Sequence, residues 1–472
     1  MTTQTLPTEP AEPEFVSLYQ KQAKVYPRAV SGWFATWRWS LVWATQLVFY
    51  GLPWLQWNGR PLMLFDLEQR RFHVLGLTFF PQDFVFLTAL LVISALALFF
   101  FTAVAGRLWC GYACPQTVYT EIFLWLERRI EGDRQARIRL DRQALGASKL
   151  LRKGGKHLAW VAVSLITGFS FVGYFTPIRD LLQALLTFSL GPWETFWVLF
   201  YGAATYGNAG WMREQVCKYM CPYARFQSAL IDRDSMVIAY DQGRGDPRGG
   251  RKRGSDPRTL GLGDCVDCRL CVQVCPTGID IRNGLQNECI GCAACIDACN
   301  QVMDRVGSPR GLIRYATENG VEQQLTRTQM LRRIGRPRVL IYGALLLAVG
   351  TAFAVSLSLR APFHVDIVKD RGSLGRMLED GHIENTYRVH VLNTGAAEHG
   401  FTVRAEALPP LRARWQAALR VAGGERVAMT LYLETASQPA QTLRGKAQPV
   451  TLFIERDDGV SVQAKASFYV PR

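Results

Sequence analysis

Eight of the twelve cysteines fall in two runs of four that repeat one spacing. The runs are Cys265, Cys268, Cys271 and Cys275, followed by Pro276, and then Cys289, Cys292, Cys295 and Cys299. In this spacing three thiolates, two residues apart, bind one iron–sulfur cube, and the fourth thiolate reaches a second cube. The pattern therefore predicts two [4Fe–4S] clusters and the transfer of single electrons.

The spacing is that of bacterial ferredoxins, and it also predicts which thiols share a cluster. One cluster is predicted to bind Cys265, Cys268, Cys271 and Cys299, and the other Cys289, Cys292, Cys295 and Cys275. Zinc sites use paired Cys-x2-Cys motifs without this internal order, and disulfide frameworks belong to small secreted domains. Asn300 stands where a proline often follows the fourth cysteine, but that proline is not a ligand.

The other four cysteines form two pairs in the pattern Cys-x-Tyr-x-Cys-Pro. They are Cys110 and Cys114 before Pro115, and Cys217 and Cys221 before Pro222. An i, i+4 spacing places both thiols on one face of a helix, and the following proline favours a helix break. Together the four would suit Cu(I), zinc or an iron–sulfur cluster, or would form a dithiol–disulfide switch. Buried structural cysteines are the alternative.

Five apolar stretches of about 20 residues predict membrane spans. They are Phe34–Leu55, Phe84–Ala105, Leu158–Pro177, Trp193–Gly210 and Val339–Leu359. Leu181–Leu190 is also apolar and is a candidate re-entrant piece. The pairs of cysteines follow the second and fourth spans, so the membrane part is interpreted as a duplicated hairpin that ends in Cys-x3-Cys-Pro.

Basic residues predict how the spans are oriented. The net charge is +15, and Arg107–Lys156 holds eleven Lys or Arg against five acidic residues. The residues from 361 onward hold fourteen basic and twelve acidic residues and no cysteine. By the positive-inside rule the N-terminus and clusters are cytoplasmic, and the C-terminal part is exported. The basic stretches flank spans, which explains them without nucleic-acid binding.

The predicted fold class is a multi-domain membrane protein. It combines an α-helical bundle of about five spans, a two-cluster ferredoxin module and a C-terminal immunoglobulin-like β-sandwich, since period-two strands follow residue 360. The predicted domains are a disordered cytoplasmic tail (1–33), a four-span membrane domain (34–242), a flexible linker (243–263), the ferredoxin module (264–306), a basic connector (307–338), the fifth span (339–359) and the exported sandwich (360–472).

Several cofactors are not indicated. None of the six histidines lies deep within a predicted span, which argues against a bis-histidine membrane haem. No nucleotide-binding glycine motif is present. The clusters are therefore expected to receive electrons from a partner, either quinol or a soluble reductase.

The order of these motifs resembles the CcoG/FixG/RdxA family of cytochrome cbb3 oxidase accessory proteins. Cys-x3-Cys-Pro after a hairpin of spans occurs in polyferredoxin-type membrane proteins, and the terminal sandwich narrows the resemblance to this family. It covers nearly the whole chain except the first thirty residues.

The resemblance implies a protein of the bacterial inner membrane that reduces Cu(II) to Cu(I) for the oxidase. Cys110, Cys114, Cys217 and Cys221 would then be the catalytic and metal-binding residues. Its partners would be copper ions and proteins of cbb3 oxidase biogenesis and copper transport. Two alternatives stay open: an electron-transfer subunit between quinol and a partner reductase, and a redox sensor.

Overall fold

The structure is a computed structural model, and it describes most of the chain. The described residues are 24–57, 59–252, 255–369, 375–379, 382–395, 397–406, 410–415, 419–435 and 445–471.

Long helices and two short β-sheets form the first half of the protein. The helices are α1 Trp33–Gly51, α2 Phe84–Ala105, α3 Leu108–Tyr112, α4 Pro115–Glu131, α5 Arg134–Arg142, α6 Ala147–Val172, α7 Ile178–Leu186, α8 Pro192–Thr205 and α9 Pro222–Leu230. Tyr206–Met212 and Val216–Met220 are π-helical. Between α1 and α2 lie β1 Gln56–Trp57, β2 Arg60–Pro61, β3 Met63–Asp66, β4 Arg71–Val74 and β5 Leu77–Phe79.

Three helices in the described part of the chain are long and apolar enough to cross a membrane. They are Pro81–Ala105, Ala147–Val172 and Pro337–Ser358. The predicted bundle of five spans is therefore shown only in part. The first and fourth predicted spans correspond to α1, which carries Arg38, and to α8, whose 14 residues extend about 21 Å. The candidate re-entrant piece overlaps the short helix α7.

A buried group of charges joins the two halves of the duplicated unit. Glu127 of α4 lies 2.8 Å from Arg137 of α5 and 3.2 Å from Arg213, which precedes the second pair of cysteines. Burial alone would raise the pKa of Glu127, but Arg213, Arg137 and Lys156 hold it below its usual value. The ion pairs thus fix the segment before Cys217 against α4.

The ferredoxin module extends beyond its predicted limits. Its elements are β6 Val237–Tyr240, α10 Gln242–Gly245, α11 Leu270–Gln273, α12 Ala294–Val306, β7 Ile313–Ala316, α13 Glu318–Glu322 and α14 Arg327–Arg332, followed by the apolar helix α15 Pro337–Ser358. β6 and β7 pair in antiparallel fashion from Val237 with Ala316 to Tyr240 with Ile313. Both strands lie outside the predicted limits of the module, residues 264–306. They pair across more than 70 residues of chain, and the cysteine spacing that predicted the module contains no information about this pairing.

Two segments predicted to be loose are packed instead. In the tail, Arg28 donates its backbone N–H to Gln273 O (2.8 Å), and the Tyr26 hydroxyl lies 2.6 Å from Asp141. The predicted disordered tail is therefore ordered from residue 24, and residues 1–23 lie outside the described residues. In the linker, Arg251 donates to Gly263 O and Ser308 Oγ, both at 2.9 Å. Polar groups of α5, the linker itself and the module supply the partners that these segments need.

The C-terminal part is a two-sheet β-sandwich, as predicted. Its strands are β8 Phe363–Lys369, β9 Arg376–Met377, β10 Ile383–Asn393, β11 His399–Glu406, β12 Leu411–Trp415, β13 Leu419–Val421, β14 Arg426–Thr435, β15 Ala447–Arg456 and β16 Ser461–Tyr469. One sheet has the order β12-β14-β10-β8 with β9 beside β10, and the other has the order β13-β11-β15-β16. Val389 and Leu431 of the first sheet share one core with Phe401 and Leu452 of the second.

Candidate metal centres

Four of the eight ferredoxin thiols line one cavity. They are Cys265, Cys268, Cys271 and Cys299, the set predicted to share a cluster, and we call this cavity the first site. Cys271 lies in α11, and Cys299 reaches the cavity from the middle of α12. Asp267 and Arg269, on either side of Cys268, have φ angles of 49° and 52°. These left-handed residues curl the loop around the cavity.

The remaining thiols of the module line another cavity. Cys275, Cys289, Cys292 and Cys295 line it, as does Cys271, which lines both cavities, and we call it the second site. Cys275 thus joins the thiols of the later run, and Cys299 joins those of the earlier run. This arrangement is in keeping with the two-cluster ferredoxin pattern, in which the fourth cysteine of each run binds the cluster of the other run.

The two sites differ in the exposure of one thiol. Two thiols are buried in each site, but Cys268 of the first site is exposed, whereas the four thiols of the second site are buried or half-buried. Burial raises the pKa of Cys271 and of Cys289 to about 12. Metal binding must therefore displace protons from these thiols. A donor set of thiols alone suits iron–sulfur clusters, so the residues of both sites fit that cofactor.

The four membrane-proximal cysteines also come together. Cys110 lies in α3 and Cys114 immediately precedes α4, while Cys217 lies in a π-helix and Cys221 immediately precedes α9. Proline begins α4 and α9, so the predicted helix breaks occur. Cys110 and Cys217 pack against the same apolar core of the ferredoxin module, and Cys110 Sγ lies 3.1 Å from Gln227 Oε1 of α9, the helix that Cys221 precedes. The duplicated motifs thus form a single group of thiols, which we call the four-thiol group.

The described residues hold no ready-made site for a single metal ion. Within the described ranges, no group of three or more His, Cys, Asp or Glu side chains is placed to hold one. This result covers the eight ferredoxin thiols as well as the four-thiol group.

The four-thiol group lies directly against the second site. A Cβ atom on Gly111, the residue after Cys110, would come within 2.7 Å of the carbonyl carbon of Gly291 and 2.9 Å of Cys292 Cα. Only glycine allows this approach of two backbones. Cys217 and Cys292 also line one small cavity together with Arg38 and Glu121.

Several residues at this junction were not identified from the sequence. Arg38 Nη1 donates to Cys292 O (3.2 Å), and Arg107 Nη1 donates to Cys289 O (3.4 Å). Asp297 of α12 accepts the backbone N–H groups of Phe34 (3.3 Å) and Ala35 (2.8 Å), so it caps α1. One signal was available: a charged residue such as Arg38 within an apolar stretch indicates a functional or structural role.

Comparison with protein families identifies three regions. Residues 212–318 match a family model described as a 4Fe-4S dicluster domain, and residues 87–132 match a 4Fe-4S binding domain. Residues 353–471 match the IG-like fold at the C-terminus of FixG. The first two regions together contain all twelve cysteines.

Three relatives align with nearly the whole chain. Protein RdxB of Cereibacter sphaeroides is 40% identical over 92% of this chain and 91% of its own length. Protein RdxA of the same organism is 38% identical (96% and 99%), and nitrogen fixation protein FixG of Rhizobium meliloti is 35% identical (96% and 90%). The chain belongs to the FixG/RdxA family.

Family membership confirms the predicted resemblance and the general function. This FixG/RdxA member is an iron–sulfur electron-transfer protein with 4Fe–4S domains and an immunoglobulin-like C-terminal domain. Its three apolar helices are in keeping with a membrane association.

Proposed function

We propose that this protein reduces Cu(II) to Cu(I) at the four-thiol group, and that this step serves the maturation of a cbb3-type cytochrome c oxidase. One observation carries the proposal: Cys110, Cys114, Cys217 and Cys221, from two distant motifs, lie together against the second iron–sulfur site. A metal substrate bound there would lie beside a one-electron donor.

The chemistry of the thiols suits this substrate. The step is Cu(II) plus one electron giving Cu(I), and iron–sulfur clusters supply single electrons. Burial raises the pKa of Cys110 to about 11, so copper must displace protons as it binds. Soft thiolates prefer Cu(I) to Cu(II), and this preference makes reduction of the bound ion more favourable.

The proposed setting is the bacterial inner membrane, with five spans. The N-terminus and iron–sulfur sites would face the cytoplasm, and the sandwich the periplasm, as the basic segment Arg107–Lys156 indicates. The partners would be copper ions, proteins of cbb3 oxidase biogenesis and copper transport, and either quinol or a soluble reductase as electron donor.

The test uses the double variant Cys110→Ser, Cys217→Ser in the purified full chain. Serine keeps the size of the side chain but removes the soft ligand, so we expect Cu(I) binding and Cu(II)-dependent oxidation of the dithionite-reduced protein to be lost. The EPR signals of both ferredoxin clusters should remain. Met220→Leu is the control, because it removes an exposed sulfur beside Cys221 without touching a thiol.

Three outcomes would contradict the proposal. Full Cu(II) reduction by the double variant would exclude the four thiols as the copper site. If the wild-type protein held more iron than two clusters need and the double variant lost that excess, the four-thiol group would instead be an iron–sulfur centre. That outcome would be compatible with the 4Fe-4S description of residues 87–132. Oxidation of the wild-type protein by quinone alone, and not by Cu(II), would favour the electron-transfer subunit.

A further inference from the structure

Two buried arginines from the membrane-proximal part of the chain contact the second site. The Arg38 and Arg107 side chains are 6% and 8% exposed, and each donates to the backbone carbonyl of a predicted cluster ligand, Cys292 and Cys289 respectively. Arg107 also donates to the carbonyl oxygens of Asn287 and Ala224 and to Ser228 Oγ. Its partners among the described residues are thus neutral oxygens.

The carboxylates near these arginines are already engaged. Glu121 lies 3.9 Å from Arg38 and 3.7 Å from Arg128, so one carboxylate is shared by two cations. Asp297 accepts two backbone N–H groups at the N-terminus of α1, where the helix dipole offsets negative charge. The described hydrogen bonds of Arg107 include no carboxylate.

The charge balance at the first site is different. Arg282 lies in its wall, but two carboxylates compensate that cation, Asp267 at 2.5 Å and Asp280 at 2.6 Å. The neighbouring Arg269 side chain is 70% exposed, and solvent screens its charge. The first site therefore gains little net positive charge from the protein.

The junction to the four-thiol group belongs to the second site alone. Gly111 contacts the backbone of Gly291 and Cys292, and Tyr315 holds Gly291 in place by donating its hydroxyl hydrogen to Gly291 O (2.8 Å). Arg107 lies at the same junction, because its backbone carbonyl accepts the N–H of Gly111 (3.2 Å) and would lie 3.0 Å from a Cβ atom on Gly291, while its side chain donates to Cys289 O.

We propose that Arg38 and Arg107 raise the reduction potential of the second site, and that this site delivers electrons to the four-thiol group across the contact between Gly111 and Gly291. The destination of the electrons rests on the proposed function. Electrons balance as single transfers: with both clusters bound, a one-electron donor would supply one electron to the module, and the cluster held by the second site would pass it to Cu(II), giving Cu(I).

Physical chemistry supports the role of the two cations. Net charge and hydrogen bonds near an iron–sulfur cluster help to set its reduction potential, and reduction adds one negative charge. A buried cation stabilises that added charge more strongly than an exposed one, because little water lies between them. Arg38 and Arg107 are thus positioning residues that favour the reduced state of the second site.

The potentials are tested without copper, so this result is independent of the proposed function. In EPR-monitored redox titrations of the full chain, Arg107→Gln should lower the equilibrium constant for reduction of the second site by about tenfold, which is about 59 mV for a one-electron couple. Arg38→Gln should act in the same direction. The first site should stay within the error of the titration. Arg107→Lys and Arg38→Lys keep the charge and should restore most of the potential.

Arg305→Gln is the matched control. It removes an exposed cation in the last turn of α12, the helix that carries Cys299, so both potentials should remain unchanged. Equal shifts at the two sites, or no shift at the second site in either glutamine variant, would overturn the proposal. If Arg107→Gln lost its iron, the comparison of Arg38→Gln with Arg38→Lys would decide by the same criteria.

The delivery route is tested with two helical glycines. Gly111→Ala should separate the two backbones and slow Cu(II)-dependent reoxidation of the pre-reduced clusters severalfold, while iron content stays constant. Gly154→Ala in α6, where a Cβ atom would meet nothing within 4 Å, should leave the rate unchanged. An unchanged rate in Gly111→Ala would exclude this contact as the route, even if the double cysteine variant had lost Cu(II) reduction as expected.

Discussion

The C-terminal sandwich and the ferredoxin module depend on different parts of the chain. The sandwich builds its core from its own two sheets, and Val389, Leu431 and Leu452 are fully buried there. The module has a core of its own, but the second site is also held by residues of the membrane-proximal helices. Arg38 contacts Cys292 from α1, and Arg107 contacts Cys289 from the segment after α2.

The sandwich is thus a self-contained domain, whereas the second site of the ferredoxin module is completed by residues of the membrane-proximal helices. Sandwich contacts to the preceding segments involve single side chains, such as Arg60 with Gly423 O. The module instead shares buried polar groups with α1, since Asp297 is 5% exposed and caps that helix. Changes in the sandwich should therefore leave the iron–sulfur sites intact, whereas changes at α1 should reach the second site.

The largest expected effect is confined to the sandwich. Leu431→Ala removes a fully buried side chain of β14 and should lower the free energy of unfolding of the sandwich by about 2–5 kcal/mol. The visible absorbance and EPR spectra of the clusters should stay those of the wild type. Calorimetry follows the sandwich, and absorbance follows the clusters.

Val368→Ala is the control for this prediction. Val368 lies on β8 of the same sheet but is 53% exposed, so its truncation should cost less than about 0.5 kcal/mol. Cluster loss in Leu431→Ala would show that the two regions fold as one unit.

A smaller effect is expected where α1 meets the module. Asp297→Ala leaves the N–H groups of Phe34 and Ala35 without their acceptor, which should cost about 1–3 kcal/mol. Thermal bleaching of the clusters should begin at a lower temperature, and the second-site EPR signal should fall before the first. The calorimetric transition of the sandwich should not move.

Asp304→Ala tests whether position on α12 alone explains the result. Asp304 pairs with Arg310 at the surface and caps nothing, so its loss should leave the bleaching temperature unchanged. Equal bleaching of both sites in Asp297→Ala would mean that α1 stabilises the whole module rather than the second site.

The smallest effect concerns one hydroxyl group. Tyr315→Phe removes the hydrogen bond to Gly291 O and should destabilise the second-site loop by about 1 kcal/mol. Bleaching kinetics of the two EPR signals would show this as faster loss at the second site only. Tyr432→Phe, on β14 of the sandwich, should change neither EPR signal. If both variants lost the second-site signal equally fast, the sandwich and the ferredoxin module would not be independent in the way described.

Much of the architecture followed from local patterns in the chain. The period of two over Tyr387–Asn393 and Val450–Ile454 predicted strands that lie within β10 and β15. The uninterrupted apolar run Phe84–Ala105 predicted α2 with its bounds. These patterns succeed because strand alternation and the burial of apolar surface are set by neighbouring residues.

Local patterns were less informative where polar or irregular backbone intervenes. Residues 193–210 were predicted as one span, but the α-helix ends at Thr205 and continues as π-helical turns. Residues 24–32 and the linker carry the composition of loose segments, yet hydrogen bonds to distant residues order both. Arg28 bonds to Gln273, and Arg251 bonds to Ser308, so each partner lies far along the chain. The composition of a segment does not reveal such distant partners.

The sequence by itself predicted the iron–sulfur chemistry, because the spacing of its eight cysteines is that of two-cluster ferredoxins. It also determined that Cys110, Cys114, Cys217 and Cys221 form two equivalent pairs. Only the tertiary structure decided that these pairs meet, and that they meet at the second site rather than the first. The reason is physical: the contact of Gly111 with Gly291 and the hydrogen bonds of Arg38 and Arg107 join segments at least 180 residues apart, and such contacts leave no periodic trace in the chain.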